Sequence, residues 1–404
     1  MSRTAKTLST GLQQHNQRAH ALLSASGASR WINCTPSAKL EEQYGEKTES
    51  VYAAEGTVAH ELSELFIRHD ALGLADKVFD AELEKLMSHE LFNDEMLEMV
   101  PVYVDYCLTE FKAAKAKNSG AIMEIEQRLD LTEYVPGSFG TADCVIINDG
   151  TLEVIDLKYG KGVPVYAEYN KQGMLYALGA LYKYSMLYDI TNVKITIVQP
   201  RINNISTWEI SAEELTEWAE TELKPAAKAA FEGSGELNSG DWCKFCAVKN
   251  RCRKLAEKQL EIAQFEFKSP ELLTDAEIAD ILTRTKQLTE WADSVAEYAH
   301  KKALEGKIWP GFKLVEGVSR RKWIDDDGAI ASAIFSSFPA ATEDQIFTSK
   351  LKSITEIEKL FGKKAVSEKL SSVILKPQGK PTLVPEQDKR PALGLEDAIN
   401  DFSN

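Results

Sequence analysis

The dipeptide Asp149-Gly150 constrains this chain more than any other feature. It separates Gly140 to Asn148 from Thr151 to Tyr159, two apolar runs of strand character. Asp-Gly in that setting signals a tight hairpin, because the turn needs residues that tolerate positive φ. Ala121 to Leu131 alternates in the same way, so the three runs predict an antiparallel meander. After Gly160-Lys161-Gly162, Tyr169 to Leu187 reads as a helix and Val193 to Pro200 as a β-branched strand, with Thr207 to Ile210 as its extension. Helical periodicity precedes the meander at Glu55 to Leu72 and Glu90 to Ala116. Ser211 to Glu232 is helical behind a Ser-x-x-Glu capping box at Ser211 and Glu214. The expected fold class is α/β, a mixed central β-sheet flanked by helices.

Two domains are expected: a core over residues 1–265 and an accessory region over 266–404, for DNA binding or oligomerisation, with a homo-oligomer as one outcome. In the second, Thr274 to Glu305 is a long helix with capping residues Thr274 and Glu277. Phe312 to Trp323 is a hairpin or strand pair, and Asp325 to Phe338 and Ser353 to Phe361 are shorter helices. Lys376 to Pro391 is a tail that orders against a partner.

No apolar run approaches the ~20 residues of a membrane helix, and no secretion signal opens the chain, so a soluble, cytoplasmic protein is expected. The formal charge of −15 excludes coating of nucleic acid through the net field. Local basic segments remain. Met1 to Leu40 carries Arg3, Lys6, Arg18, Arg30 and Lys39 with no acid, and Lys350 to Arg390 holds ten basic residues against five acidic. Each either faces a polyanion or is solvated surface.

The chemistry concentrates in Gly140-Thr-Ala-Asp143 and Val154-Ile-Asp156-Leu-Lys158. Strand alternation puts Asp156 and Lys158 on one face, and the hairpin brings Asp143 beside them. Two carboxylates and an ammonium in one cleft suit a hard cation such as Mg²⁺; the plain alternative is a structural Asp156–Lys158 salt bridge. His60 lies on the upstream helix, and Gln172 and Tyr176 are four apart on the helix that follows. His60-Glu61 is not a zinc-protease motif, since position 64 is Glu64, and Gly160-Lys161-Gly162 lacks the P-loop spacing.

The ordered series Gly56-Thr57-x-x-His60-Glu61, Gly140-x-x-Asp143, Asp156-Leu157-Lys158 and Gln172-x-x-x-Tyr176 resembles the PD-(D/E)xK nuclease superfamily in its RecB-type branch, over about residues 25 to 255. The resemblance implies a restriction-endonuclease-like core. It implies His60, Asp143 and Asp156 as Mg²⁺ or Mn²⁺ ligands, Lys158 as the catalytic lysine, and Gln172 and Tyr176 as DNA contacts. Glu124 or Glu126 is a weaker further participant.

Six cysteines without an export signal are expected as reduced thiols, and three lie within ten residues as Cys243-x₂-Cys246-x₅-Cys252. Cys34 is the fourth candidate, since Cys107 lies in a helical stripe and Cys144 in a strand. Four thiolates suit tetrahedral zinc or a [4Fe–4S] cluster. One cysteine before the core and a triplet after it resembles the iron–sulfur clasp of AddB-type helicase-nucleases and related CRISPR-adaptation nucleases. That resemblance implies a structural [4Fe–4S] cluster, with Zn²⁺ as the alternative.

Gly311 to Trp323 and Gly379 to Arg390 resemble segments of an uncharacterised phage-encoded family of the same superfamily. Arg320, Arg321 and Lys322 beside Trp323 either grip phosphate and stack a base or form a solvated turn with one packed indole. The function expected is a metal-dependent deoxyribonuclease, an exonuclease rather than an endonuclease, acting on DNA ends in phage recombination or replication. The implied partners are DNA and a phage recombination or annealing protein, in a bacterial cytoplasm. The competing expectation is a catalytically silent nucleic-acid-binding scaffold with the same fold.

Overall fold

The computed structural model describes residues 21–45, 51–148, 150–261, 274–317, 321–323, 327–347, 351–375, 381–385 and 391–392. It divides into two units, Met1–Ile281 and Leu282–Asn404. Asp149, Arg320, most of the C-terminal tail and the basic residues Arg3, Lys6 and Arg18 lie outside the described residues.

The first unit opens with helices α1 (Ala28–Asn33), α2 (Ser37–Tyr44), α3 (Val51–Leu72), α4 (Asp76–Met87) and α5 (Asp94–Lys117). Strands β1 (Ile122–Asp130), β2 (Phe139–Asn148) and β3 (Gly150–Leu157) then form the meander. Helix α6 (Lys171–Tyr184) crosses over to β4 (Ile190–Gln199), which runs parallel to β3, and β5 (Asn204–Ser211) returns antiparallel to β4. The result is a five-stranded mixed sheet in the order β1-β2-β3-β4-β5. Thr207 to Ile210 therefore belongs to a separate strand rather than extending β4; the reversal sits at Asn203, whose φ of +50° turns the chain. The Ser211–Glu214 capping box forms and starts α7 (Ala212–Trp218), which passes through a π turn (Ala219–Leu223) into α8 (Lys224–Glu232). Helix α9 (Arg253–Leu260) follows the cysteine segment.

Alternation along the strands feeds two cores. Leu152, Val154, Val193, Ile195 and Ile197 face one cluster with Leu175, Leu178 and Leu181 of α6. Ile155, Leu157 and Val198 face the other with Leu62 of α3 and Val100, Tyr103 and Val104 of α5. Both faces of the sheet are covered, and β3 is buried on both sides from Leu152 to Leu157.

The phase of β1 and β2 reverses partway. Met123 and Ile125 face the α3–α5 core, whereas Leu129 faces the α6 core, although all three are odd-numbered. In β2, Cys144 and Ile146 face the α3–α5 core but Ala142 faces the other. The pairing register does not slip: Ile125 is opposite Cys144 and Gln127 opposite Ala142. The inversion falls on Glu126, whose φ of +47° is left-handed, and on the residue facing it, Asp143.

The second unit holds most of α10 (Asp275–Leu304), then β6 (Phe312–Glu316), β7 (Lys322–Trp323), α11 (Asp327–Ser337), α12 (Glu343–Ile346), α13 (Ile354–Phe361), α14 (Lys363–Lys369), β8 (Ile374–Leu375) and β9 (Pro381–Pro385). Phe312 to Trp323 is not a hairpin on itself. Strand β6 pairs with β9 and β7 with β8, so part of the Pro-rich tail is a strand. Ile330, Ile334, Ile346 and Ile357 form the unit's small core, and the Trp323 indole packs there with its N–H donating to Lys352 O. No helix among the described residues is long and apolar enough to cross a membrane.

Close approach of α6 to the sheet depends on Gly173, where an added Cβ would lie 2.6 Å from Cγ2 of the buried Ile195. Gly173→Ala is expected to lower the unfolding free energy by about 1–2 kcal/mol in urea denaturation, despite the better helix propensity of alanine.

Candidate active site

The register brings three carboxylates to one level across three strands. Glu126 of β1 faces Asp143 of β2, and the β2–β3 ladder, whose last pair here is Cys144–Ile155, points Asp143 at Asp156 of β3. Pairing stops there, leaving the N–H of Leu157 without a strand partner on that side, and Asp143 Oδ2 accepts it at 2.7 Å. The other oxygen, Oδ1, lies 3.3 Å from His60 Nδ1, which is 4.0 Å from Glu126 Oε1. Ligand atoms of His60, Glu126 and Asp143 all fall within 4.8 Å of one another.

His60 reaches the sheet because Val58, Ala59 and Leu62 bury the adjoining face of α3. Gly56 and Thr57 lie within this helix, which begins at Val51, and do not open it. A clamp fixes the helix further: Arg201, just past β4, binds Glu55 of α3 at 3.1 Å and Glu95 of α5 at 2.8 Å, with its guanidinium over the Tyr159 ring.

A second chain of contacts starts at Asp156. The Lys158 ammonium lies 2.7 Å from Asp156 Oδ2 and 3.0 Å from Oδ1, and donates to Gln172 Oε1 at 3.0 Å. Gln172 Nε2 donates in turn to the Tyr176 hydroxyl at 3.0 Å. Spacing of four residues on α6 makes that last bond, and Gly140 makes room for it: a Cβ there would meet the Tyr176 ring at 2.6 Å. The Asp156 carboxylate is thus buried with both oxygens against the one ammonium.

All six core positions singled out from sequence therefore enter two adjoining networks, His60–Asp143 and Asp156–Lys158–Gln172–Tyr176. Glu126 joins the first, whereas Glu124 is two residues away, opposite Val145. The only sequence signal for Glu126 was an acid in the strand before the hairpin. Its left-handed backbone is not legible from residue type.

Cys34, Cys243, Cys246 and Cys252 line one cavity, together with Arg30, Leu40 and Trp242. The walls are stitched across the chain: Glu41 binds Arg30 at 2.7 Å and accepts the Ala247 N–H, Thr35 donates to Ser234 O, and Arg30 donates to Phe245 O. Among the described residues no three thiols fall within 4.8 Å of one another. Burial raises the thiol pKa of Cys246 to about 12. Cys107 and Cys144 are buried on the α3–α5 side, apart from this cavity.

Fold and cleft together define an α/β protein with a histidine–carboxylate–lysine cluster at the carboxyl end of a parallel strand, where open α/β sheets hold their ligands. The chain belongs to the family described as "Protein of unknown function (DUF2800)", whose profile matches residues 20–391. A solved structure described as "Crystal structure of SSO0001" is similar at 14% identity over 63% of this chain and 98% of its own, with a TM-score of 0.26. At that score the likeness carries no argument about fold or function.

The electrostatics of the cleft are those of three crowded carboxylates compensated by two cations, His60 and Lys158. Burial opposes the charge on His60, but Asp143 outweighs it and raises the imidazole to about 9. Burial likewise opposes ionisation of Asp143, and the imidazolium holds it below the ordinary range. Glu126 is raised to about 7 by burial and by the facing Asp143. Asp156 is raised by burial, against the pull of Lys158. Because His60 is raised from 6.5 to about 9, its contribution to stability is full below pH 6.5 and disappears as pH rises through 9. The metal-free protein is therefore expected to lose stability on the order of 2–3 kcal/mol between pH 6.5 and 9, and His60→Gln to remove most of that slope. Denaturant midpoints measured across this range in EDTA provide the check.

Proposed function

We propose that this protein is a metal-dependent deoxyribonuclease of the PD-(D/E)xK type, hydrolysing phosphodiester bonds at DNA ends. The observation that carries the reading is the pairing, at one strand end, of a His60–Glu126–Asp143 cluster with the Asp156–Lys158 pair. A purely structural salt bridge would account for Asp156 and Lys158. It would not account for a second, separate gathering of acids around an imidazole, nor for a left-handed glutamate directly across from an aspartate, where like charges oppose folding.

The donor set fits a divalent cation. Two carboxylates and an imidazole lie within reach of one ion, and the buried Asp156 carboxylate stands on the next strand, paired with Lys158. Oxygen ligands suit Mg²⁺, and His60 shifts the preference toward Mn²⁺. His60, Glu126 and Asp143 would hold it, with Asp156 beside them; a cation bound there supplies charge neutralisation for the phosphate and acidifies water at neutral pH. Lys158 is held by Asp156 and Gln172 beside the carboxylates that would bind the cation. The Tyr176 hydroxyl accepts from Gln172 and keeps its own proton to donate to a phosphate oxygen.

End-directed digestion, a role in phage recombination and a recombination or annealing partner rest on the resemblance drawn from the motifs. Linear and covalently closed DNA incubated with Mn²⁺ should differ, with only the linear form digested. Asp156→Asn is expected to lower cleavage by about 10²–10⁴-fold while keeping the circular dichroism of the wild type. Binding of both DNAs with no cutting of either would replace this reading by that of a silent scaffold.

The cysteine cavity supports a structural [4Fe–4S] cluster in the same protein. Thiolates around one tetrahedral zinc sit about 3.8 Å apart, given Zn–S bonds of about 2.3 Å. The four thiols line one cavity and come from segments some 200 positions apart, a lining that suits a structural group bridging the two ends of the core. Anaerobically purified protein should be brown, with about four irons per chain, and Cys34→Ser should lose both colour and iron. Colourless protein with one zinc per chain would overturn this assignment.

A further inference from the structure

We propose that Tyr169 and Trp208 form a stacking platform for an unpaired base of the DNA strand, beside the cleft. This rests on the nuclease reading for the identity of the ligand, but not for its geometry.

The loop between β3 and α6 puts large apolar side chains into water. Tyr169 is 62% exposed and Tyr166, three residues earlier, 64%. Tyr169 also has a φ of +52°, a conformation that costs a bulky residue on the order of 1 kcal/mol or more and that glycine would adopt freely. An exposed aromatic kept in a strained conformation is not explained by packing into either core.

The strain has a geometric result. It sets the Tyr169 ring 4.8 Å from that of Trp208 on β5, tilted by 46°, with much of the tyrosine still open. Lys171 lies 5.9 Å from the Tyr169 ring and 4.6 Å from that of Trp218, so a cation stands between Tyr169 and a further indole. The position is tied to the cleft by the chain itself: Gln172, which holds Lys158, is three residues beyond Tyr169, a span of about 10 Å at most.

These features select the face of a base rather than a run of phosphates. The exposed Tyr169 ring, backed by Trp208, offers a π surface to any base, and the carboxylate of Glu222 near Lys171 and Trp218 disfavours a phosphate there. A paired base cannot offer its face without unstacking, so the platform engages single-stranded DNA at an end or in a frayed terminus. Stacking of this kind is insensitive to sequence and to salt, in contrast to phosphate contacts.

The test is fluorescence anisotropy with a labelled oligothymidylate and a blunt hairpin duplex, in EDTA to prevent cleavage. Tyr169→Ala should weaken oligothymidylate binding about 5- to 100-fold. It should leave duplex binding within about twofold and the salt slope unchanged. Tyr169→Phe should bind as the wild type. Tyr169→Gly keeps the left-handed backbone without strain, so its expected loss equal to that of alanine assigns the effect to the ring and not to a damaged loop. Wild-type affinity for oligothymidylate in Tyr169→Ala, or a loss in Tyr169→Phe as large as in alanine, would overturn the platform. Tyr169-dependent binding by a protein that cuts no DNA would sustain the platform and sink the nuclease reading alone; cutting that proceeds with no dependence of strand binding on Tyr169 would do the reverse.

Discussion

Mutual repulsion among Glu126, Asp143 and Asp156 is the constraint around which the first unit is organised. Three acids abreast on neighbouring strands cannot all ionise in a half-buried cleft without compensation. The protein supplies it twice, with the His60 imidazolium at Asp143 and the Lys158 ammonium at Asp156. Each cation needs its own support. Helix α3 must lie where Arg201 clamps it, and α6 must lie close enough for Gln172 to reach Lys158, which is why Gly173 and Gly140 are small.

Much of this was legible in the residues. The Asp-Gly turn and alternating runs located the meander, and the capping boxes at Ser211 and Thr274 form as their sequence pattern dictates. Charge pairing of Asp156 with Lys158 follows from period-two alternation, and the Gln172–Tyr176 bond from helical spacing. These are local rules, satisfied within a few residues of chain.

What escaped the sequence is non-local or torsional. Strand β6 looked ready to pair with its neighbour β7, but each pairs with a segment some 50 or more residues away, a choice made by the small core of the second unit. Helix α4 is not among the elements read from the sequence; it is short, and none of its side chains is fully buried. Strand β5 reads as a continuation of β4 until Asn203 is known to be left-handed. Glu126 could not be ranked above Glu124 by residue type, since a single backbone torsion separates their roles.

That torsion has a further meaning for the sheet. Strands β1 and β2 behave as two short ribbons joined in antiphase, one half turning its apolar side chains up and the other down. At the seam stand Glu126 and Asp143, so the apolar layers give way there to two carboxylates beside the His60 imidazole. Larger aliphatic neighbours would strip those carboxylates of their partners, so any change at the seam has to keep a polar or cationic group beside them.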